Sequence, residues 1–317
     1  MKNPVNYILA LLPVLFATSC EHKDLYVETG RTTDIEVVFD WRNAPDGNPE
    51  SMAVYLFDRD GGKPIRYIFT GRDGGRIRVP YGLYDALCMN SDGIDWAQLR
   101  NTEDIESFEV YTQDAEDMQG YGLSARSVPR AEGTETERMA MNPGMLWTDR
   151  GDGFEVKYTD KKQVITLYPE EAVCHYTVDV VDLVNAGNLQ GGSIDATLSG
   201  VAEGFISGQK SGSEKRMTTP FVLSAADDGK SLHAEFLTFG QCMRDDHKNI
   251  LTLYIYLSDG SKRYYTYDVT GQIDAAADPR HVHIVVRGLS LPHPIMSGGG
   301  LIPSVDDWIS EHVDILM

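Results

Sequence analysis

Short alternating segments separated by glycine- and aspartate-rich turns dominate this chain, and no segment between them shows a sustained helical period. Successive side chains of a strand point to opposite faces, so apolar residues at every second position make one buried face. TDIEVVFDW places Ile35, Val37 and Phe39 on such a face. MAVYLFD does the same with Met52, Val54 and Leu56, and IRYIF with Ile65, Tyr67 and Phe69. RIRVP and GLYDALCMN continue the series. The joints, APDGNPE, DRDGGKP and GRDGG, are turn sequences, because Asp and Gly supply the torsions that tight turns need. Strands in this density over residues 32–90, with no helix between them, indicate an all-β fold, an antiparallel sandwich or barrel.

Further on, IDWAQLRN reads as one helical turn and IESFEVYTQ as a strand. Residues 113–143 then lose all periodicity and are rich in Glu, Gly, Ser, Thr and Pro. A long flexible loop near the end of the first domain, or the domain boundary itself, is expected there, cut first by trypsin at Arg126, Arg130 or Arg138. Strand signals resume at FEVKY and QVITLYP, and AVCHYTVDVVDLV puts Cys174, Tyr176, Val178 and Val180 on one face. VAEGFISGQKSGSEK reads as a Gly/Ser-rich connection with one helical turn. NILTLYIYLSDGSKRYYTYDVT, two Tyr-rich strands around Asp259-Gly260, is the clearest hairpin. GQIDAAAD reads as a short helix and HVHIVVRGLSL as the last strong strand. The two halves share this coarse plan. Two β-sandwiches in tandem are therefore expected, at 32–145 and 146–290, followed by a tail at 291–317.

The N-terminus has a secretory layout: Lys2, an apolar run from Ile8 to Phe16, then Ala17, Thr18, Ser19 and Cys20. The run is too short to span a bilayer, which takes roughly 20 apolar residues. A cysteine at the cut resembles a bacterial lipobox, although the usual Leu is displaced to Leu15. The expectation is a signal peptide at 1–19, lipidation of Cys20, and a polar tether at 20–31. The alternative is an ordinary secretory signal with an incidental Cys20. Lipidation would make the membrane a partner through Cys20 alone. The formal net charge of −20 argues against nucleic acid, whose phosphates need a basic footprint. An apolar fraction of 42% suffices for real cores, which excludes global disorder.

TSCEHKDL, VVFDW, the APDG turn, DGGKP, GRDGG and VPYGLY, followed by LSG, FGQC, DPRHVHIVV and LPHPI ahead of GGG, carry a resemblance over nearly the whole chain. The sequence resembles a family of uncharacterised Bacteroides-type lipoproteins, known as a domain of unknown function, that look like the fimbrillin group. That resemblance implies two transthyretin-like, Greek-key sandwiches, outer-membrane lipid anchoring on the cell surface or the periplasmic face, and fimbrial protein subunits as partners. Stalk subunits of the group are cut after an arginine to open a strand-accepting groove. Only Arg31 and Arg42 are candidates here, and neither carries a motif. An anchoring or accessory subunit working by strand exchange is therefore expected, with a carbohydrate-binding outer-membrane lipoprotein of a nutrient-uptake system as the alternative.

Other residues are candidates for chemistry. His281 and His283, at i and i+2 of a strand, share a face and could begin a metal site, with His175, His233 or an acidic residue as third ligand. No spacing places that ligand, so a polar strand face is the expectation and no metal or cofactor is expected. DRDGG (58–62) and GRDGG (71–75) lack the order of ligands of a calcium loop and read as turns. Arg150-Gly151-Asp152 reads as a turn in preference to an adhesion motif. Trp41, Trp96, Trp147 and Trp308 could form a sugar platform but fit strand faces and cores better. Cys88, Cys174 and Cys242 have apolar neighbours and read as buried thiols, with Cys174–Cys242 the one bridge to test. No activated nucleophile or catalytic motif appears, so no enzyme is expected.

Overall fold

The computed structural model describes residues 31–293, apart from 119, 121, 227, 228 and 243–246, together with residues 308–312. The expected signal and Cys20 lie outside the described residues. The first strands are β1 (Thr32–Phe39), β2 (Ser51–Asp58), β3 (Ile65–Thr70), β4 (Gly74–Pro80) and β5 (Gly82–Asn90). Next come β6 (Ala97–Arg100), β7 (Glu109–Thr112), β8 (Arg138–Met139), β9 (Trp147–Val156), β10 (Val164–Leu167) and β11 (Glu170–Glu171). Then follow β12 (Cys174–Val181), β13 (Ser193–Ala202), β14 (Gly204–Ile206), β15 (Ser211–Gly212) and β16 (Arg216–Ala225). The series closes with β17 (Leu232–Thr238), β18 (Ile250–Tyr256), β19 (Lys262–Asp268), helix α1 (Thr270–Asp274), β20 (His281–Arg287) and β21 (Ile309–His312).

The chain is all-β and forms two sandwiches. In the first, a three-stranded sheet of order β10-β1-β4 faces a five-stranded sheet of order β11-β9-β5-β2-β3. The expected faces meet between them: Ile35, Val37 and Phe39 pack with Met52, Val54, Leu56 and Phe69. Strand pairing divides the chain differently from the expected boundary at 145/146. β9 pairs with β5 and β10 with β1, so both complete the first sandwich. Residues 91–146 are an excursion from that sandwich, which the chain leaves after β5 and re-enters at β9. The strand signals of β9 and β10 are local, whereas their partners lie 59 to 128 residues earlier, and sequence order alone does not reveal such a return.

The second sandwich is one long sheet curled over its own core, with order β20-β12-β17-β16-β13-β18-β19-β21. Tyr176, Val178 and Val180 face inward as the alternation requires, against Ile284 of β20 and Leu253 of β18. The Asp259-Gly260 hairpin forms β18 and β19, and Gly260 takes the positive φ of 83° that the turn requires. Helix α1 forms where GQIDAAAD indicated it.

Between the sandwiches lies a third apolar core. β2 and β5 bury both faces: Ala53, Tyr55, Phe57, Leu87 and Met89 point away from the first core and meet Phe108, Val110, Ala202 and Phe239. A small sheet of order β15-β14-β7-β6 frames this junction. Its strands β6, β14 and β15 form where the sequence indicated helical turns and a connection.

Residues 113–143 are not a free loop where they are described. They lie across the outer face of β16-β13-β18, with Met118 and Val128 packed on Tyr254 and Ala140 in the second core. Glu137 accepts hydrogen bonds from Gly200 N (3.1 Å) and Thr218 Oγ1 (2.9 Å). Gly200 sits at the bulge of β13, where a Cβ would come within 2.0 Å of the Lys248 carbonyl. Of the three expected trypsin sites only Arg126 is exposed. Arg130 donates to the Thr134 and Glu137 carbonyls and to Thr218, and Arg138 pairs with Asp114 and Glu203. The composition is polar because the face it covers is polar: Asp195, Thr197, Thr218 and Thr252 are all buried.

Candidate functional site

Two places in the fold leave strand edges open or lightly closed. The first is a groove of about 280 Å3 on the flank of the first sandwich, lined by Ile35, Phe154, Val156, Gln163, Val164 and Ile165. β10 is the edge of its sheet. On the outer side of β9 only Trp147 and Thr148 are paired, with β11. Among the described residues, no strand covers the rest of that side. The groove therefore offers apolar side chains between two lines of backbone donors and acceptors, the setting in which an added strand can dock.

The second place is the pair of edges of the second sheet. At β20, the Gln272 side chain acts as a one-residue strand: its Oε1 accepts from Val285 N (2.8 Å) and its Nε2 donates to Val285 O (3.1 Å). His281 N donates to Asp278 O on the same edge. The opposite edge, β19, is closed by β21, which runs parallel to it from Arg263↔Ile309 to Thr266↔His312. Trp308, just before β21, sits edge-on to Tyr254 and Tyr256, each at 5.5 Å.

His281 and His283 do share an exposed face, as their spacing indicated, but the closer relations run across strands. His281 stands directly opposite His175 of β12, their rings 5.0 Å apart and 7° from parallel. His175 Nε2 faces Glu171 at 3.3 Å and His281 Nδ1 faces Asp278 at 2.8 Å. Asp179 of β12 takes His283 Nε2 on one oxygen and His233 Nδ1 on the other, both at 2.7 Å. Four of the eight histidines thus share one face of β20-β12-β17. The hydrogen bond to Asp179 holds His233 above its ordinary value of 6.5. Burial of Asp179 opposes its ionisation, but the bonds from His233 and His283 outweigh it and hold its carboxyl below the ordinary 3.8.

The sign of the pH dependence follows. The stability from His233 is complete below about pH 6.5 and is lost as pH rises through its raised value. The share from Asp179 is present above about pH 4 and is lost as pH falls through its lowered value. The destabilisation caused by Asp179→Asn, measured by urea unfolding, should therefore be larger at pH 5 than at pH 8. An equal gap at both would show that the clasp carries no charge-linked stability.

The remaining candidates resolve into structure. Arg150 and Asp152 lie inside β9, beside a bulge opposite Tyr84 and Ala86, not in a turn between strands. Arg150 is bound by Glu106 (2.7 Å) and Asp152 (2.8 Å), so the triplet is not presented as a loop. Cys88, Cys174 and Cys242 form no disulfide, so the Cys174–Cys242 bridge does not form; Cys88 and Cys242 are buried as expected, and Cys174 is only half-buried. Burial pushes the Cys174 thiol up to about 11, the opposite of activation. Trp41 and Trp147 meet edge to face at 6.1 Å, and Trp96 packs on Phe239, so the tryptophans form no coplanar exposed platform. Among the described residues no helix is long and apolar enough to cross a membrane, and no three His, Cys, Asp or Glu side chains are grouped to enclose a metal ion.

A comparison with curated protein sequences finds no match. Among solved structures, a candidate adhesin from Bacteroides ovatus superposes with a TM-score of 0.63 at 18% identity, over 87% of this chain and 99% of that one. A candidate polysaccharide-binding protein from Bacteroides thetaiotaomicron gives 0.51 at 11% identity, over 81% and 91%. These two likenesses show a shared fold. The fimbrial anchor protein Mfa2 of Porphyromonas gingivalis gives 0.49 at 15% identity, over 80% and 91%. The family model described as "Domain of unknown function (DUF5119)" matches residues 19–222, which span the first sandwich, the junction and much of the second, and the chain belongs to that family.

Proposed function

We propose that the chain is a non-enzymatic structural subunit, held at the outer-membrane surface by lipid on Cys20, that joins fimbrial partner subunits by strand exchange. The groove between β9 and β10 carries this reading. It sets Ile35, Phe154, Val156, Val164 and Ile165 beside the open edges of β9 and β10, so a partner strand would gain main-chain bonds for strength and alternate side-chain pockets for register. The adhesin description of the Bacteroides ovatus neighbour fits a surface role. An anchoring or accessory place suits the arginines better than a stalk place. A cut after Arg31 removes none of the described strands, and a cut after Arg42 would strip β1 from the middle of its sheet. The carbohydrate alternative finds no coplanar platform among the four tryptophans, which pack on other rings.

Val164 lines the groove and is 43% exposed, so Val164→Arg should block the groove without disturbing the core. Protein purified from its native membrane should bring partner subunits with it, and the variant should lose them at an unchanged melting temperature. Cys20→Ala should move the folded body out of the membrane fraction. Full partner recovery with Val164→Arg would sink the strand-exchange reading, and membrane retention of Cys20→Ala would sink the lipid anchor.

A further inference from the structure

The paired imidazoles of His175 and His281 have a feature that a merely polar strand face does not require. Each ring gives one nitrogen to a carboxylate: Nε2 of His175 to Glu171, and Nδ1 of His281 to Asp278. In the neutral tautomer that donates there, the other nitrogen keeps its lone pair. Histidines that bind metals are oriented in this way, the outer carboxylate fixing the tautomer and raising the basicity of the ligating nitrogen. The two rings stand on directly opposite residues of adjacent parallel strands, nearly parallel and 5.0 Å apart. Both side chains are partly exposed, His175 at 38% and His281 at 63%, so small rotations about their χ angles are open to them.

We propose that His175 and His281 form an open two-imidazole chelate for a first-row divalent transition cation such as Ni2+ or Zn2+. Imidazole nitrogen is a preferred donor for these ions, at about 2.0–2.1 Å. Two such bonds to one ion need the free nitrogens, Nδ1 of His175 and Nε2 of His281, about 3–4 Å apart with their in-plane lone pairs converging, so the stacked rings must tilt toward a common point. Water completes the coordination, in keeping with the absence of a third protein ligand among the described residues. The site is distinct from the i, i+2 pair read from the sequence, because His283 is committed with His233 to Asp179. It discriminates against Mg2+ and Ca2+, which want several oxygens. The nearby carboxylates are already engaged: Glu171 by His175, Asp278 by His281 and the backbone of Arg280, and Glu235, which lines the same hollow, by His233. The ion is an addition to a finished fold and no part of its core.

The test is calorimetric titration of the mature, tag-free full-length chain with NiCl2, ZnCl2 and MgCl2. One saturable site is expected for Ni2+ and Zn2+ and none for Mg2+. His175→Ala and His281→Ala should each weaken binding at least about tenfold, and Asp278→Asn about tenfold. The pair His233→Ala/His283→Ala should leave affinity unchanged. A cooperative melting transition in a chelator, kept by every variant, confirms that all are folded, with His233→Ala/His283→Ala melting lower because it loses the Asp179 clasp. Undiminished binding by His175→Ala/His281→Ala, or no saturable Ni2+ or Zn2+ binding by the unaltered chain, would overturn the proposal.

Discussion

Truncating Phe108 to alanine is expected to remove about 3–5 kcal/mol of unfolding free energy, the usual range for a large buried aromatic. Phe108 is fully buried at the centre of the junction core. Its ring meets Tyr55 at 5.0 Å and Phe57 at 6.4 Å, both edge-on, and both partners belong to β2 of the first sandwich. The same core includes Ala202, Phe239 and Cys242 from the second half of the chain. A cavity here therefore loosens the two sandwiches from each other more than it loosens either alone. Urea unfolding followed by tryptophan fluorescence and by circular dichroism should show one transition for the unaltered chain. It should show separated transitions for Phe108→Ala, since Trp41 and Trp147 report chiefly on the first sandwich. A loss below about 1 kcal/mol with coincident curves would mean that the junction contributes little to coupling.

The second large effect is expected from Arg100→Ala, a loss of about 3 kcal/mol. Arg100 reaches Glu109 through two bonds, at 2.6 and 2.5 Å, and Glu203 at 3.0 Å. The two glutamates are almost fully buried, with side-chain exposures of 8% and 11%. Without the guanidinium both carboxylates keep their desolvation cost, and Glu203 retains only the longer 3.3 Å contact with Arg138. Arg100 is itself about a quarter exposed, which places the effect at the lower end of the range for broken buried pairs. Adding Glu109→Gln and Glu203→Gln should recover part of the loss, because neutral amides cost less to leave buried than charges do. If the triple variant is less stable than Arg100→Ala alone, packing of the side-chain stems rather than unpaired charge explains the effect.

The inward faces of β1, β2 and β12 were legible because alternation is a local property of three or four residues. Ile35, Val37 and Phe39, or Tyr176, Val178 and Val180, need no knowledge of their partners. The junction was harder to read. SMAVYLF was assigned one buried face, although Ala53, Tyr55 and Phe57 are as apolar as Met52, Val54 and Leu56. An unbroken apolar run is the signal of a strand covered on both sides. The packing of residues 113–143 was hidden for the opposite reason. These residues satisfy Asp195, Thr218 and Tyr254 through Gly120 N, Arg130, Glu137 and the Pro129 carbonyl, and a segment that covers a polar surface has the composition of a solvated loop. In the candidate site, the shared face of His281 and His283 followed from spacing. The closeness of His175, more than 100 residues earlier, follows only from the parallel pairing of β12 with β20. The same holds for the groove, whose walls β9 and β10 owe their positions to strands near the start of the chain.

The place of β1 has a mechanical consequence. It lies between β4, with seven register pairs, and β10, with four. A pull on the chain at residue 31 acts along the strand, so both ladders are loaded in shear and their bonds share the force. At the other end, β21 is held by four pairs and the seat of Trp308. Under tension between the two ends, the C-terminal strand is the fuse and β1 the clamp. Load would slide β21, with its four pairs, along β19 before it disturbed the first sandwich.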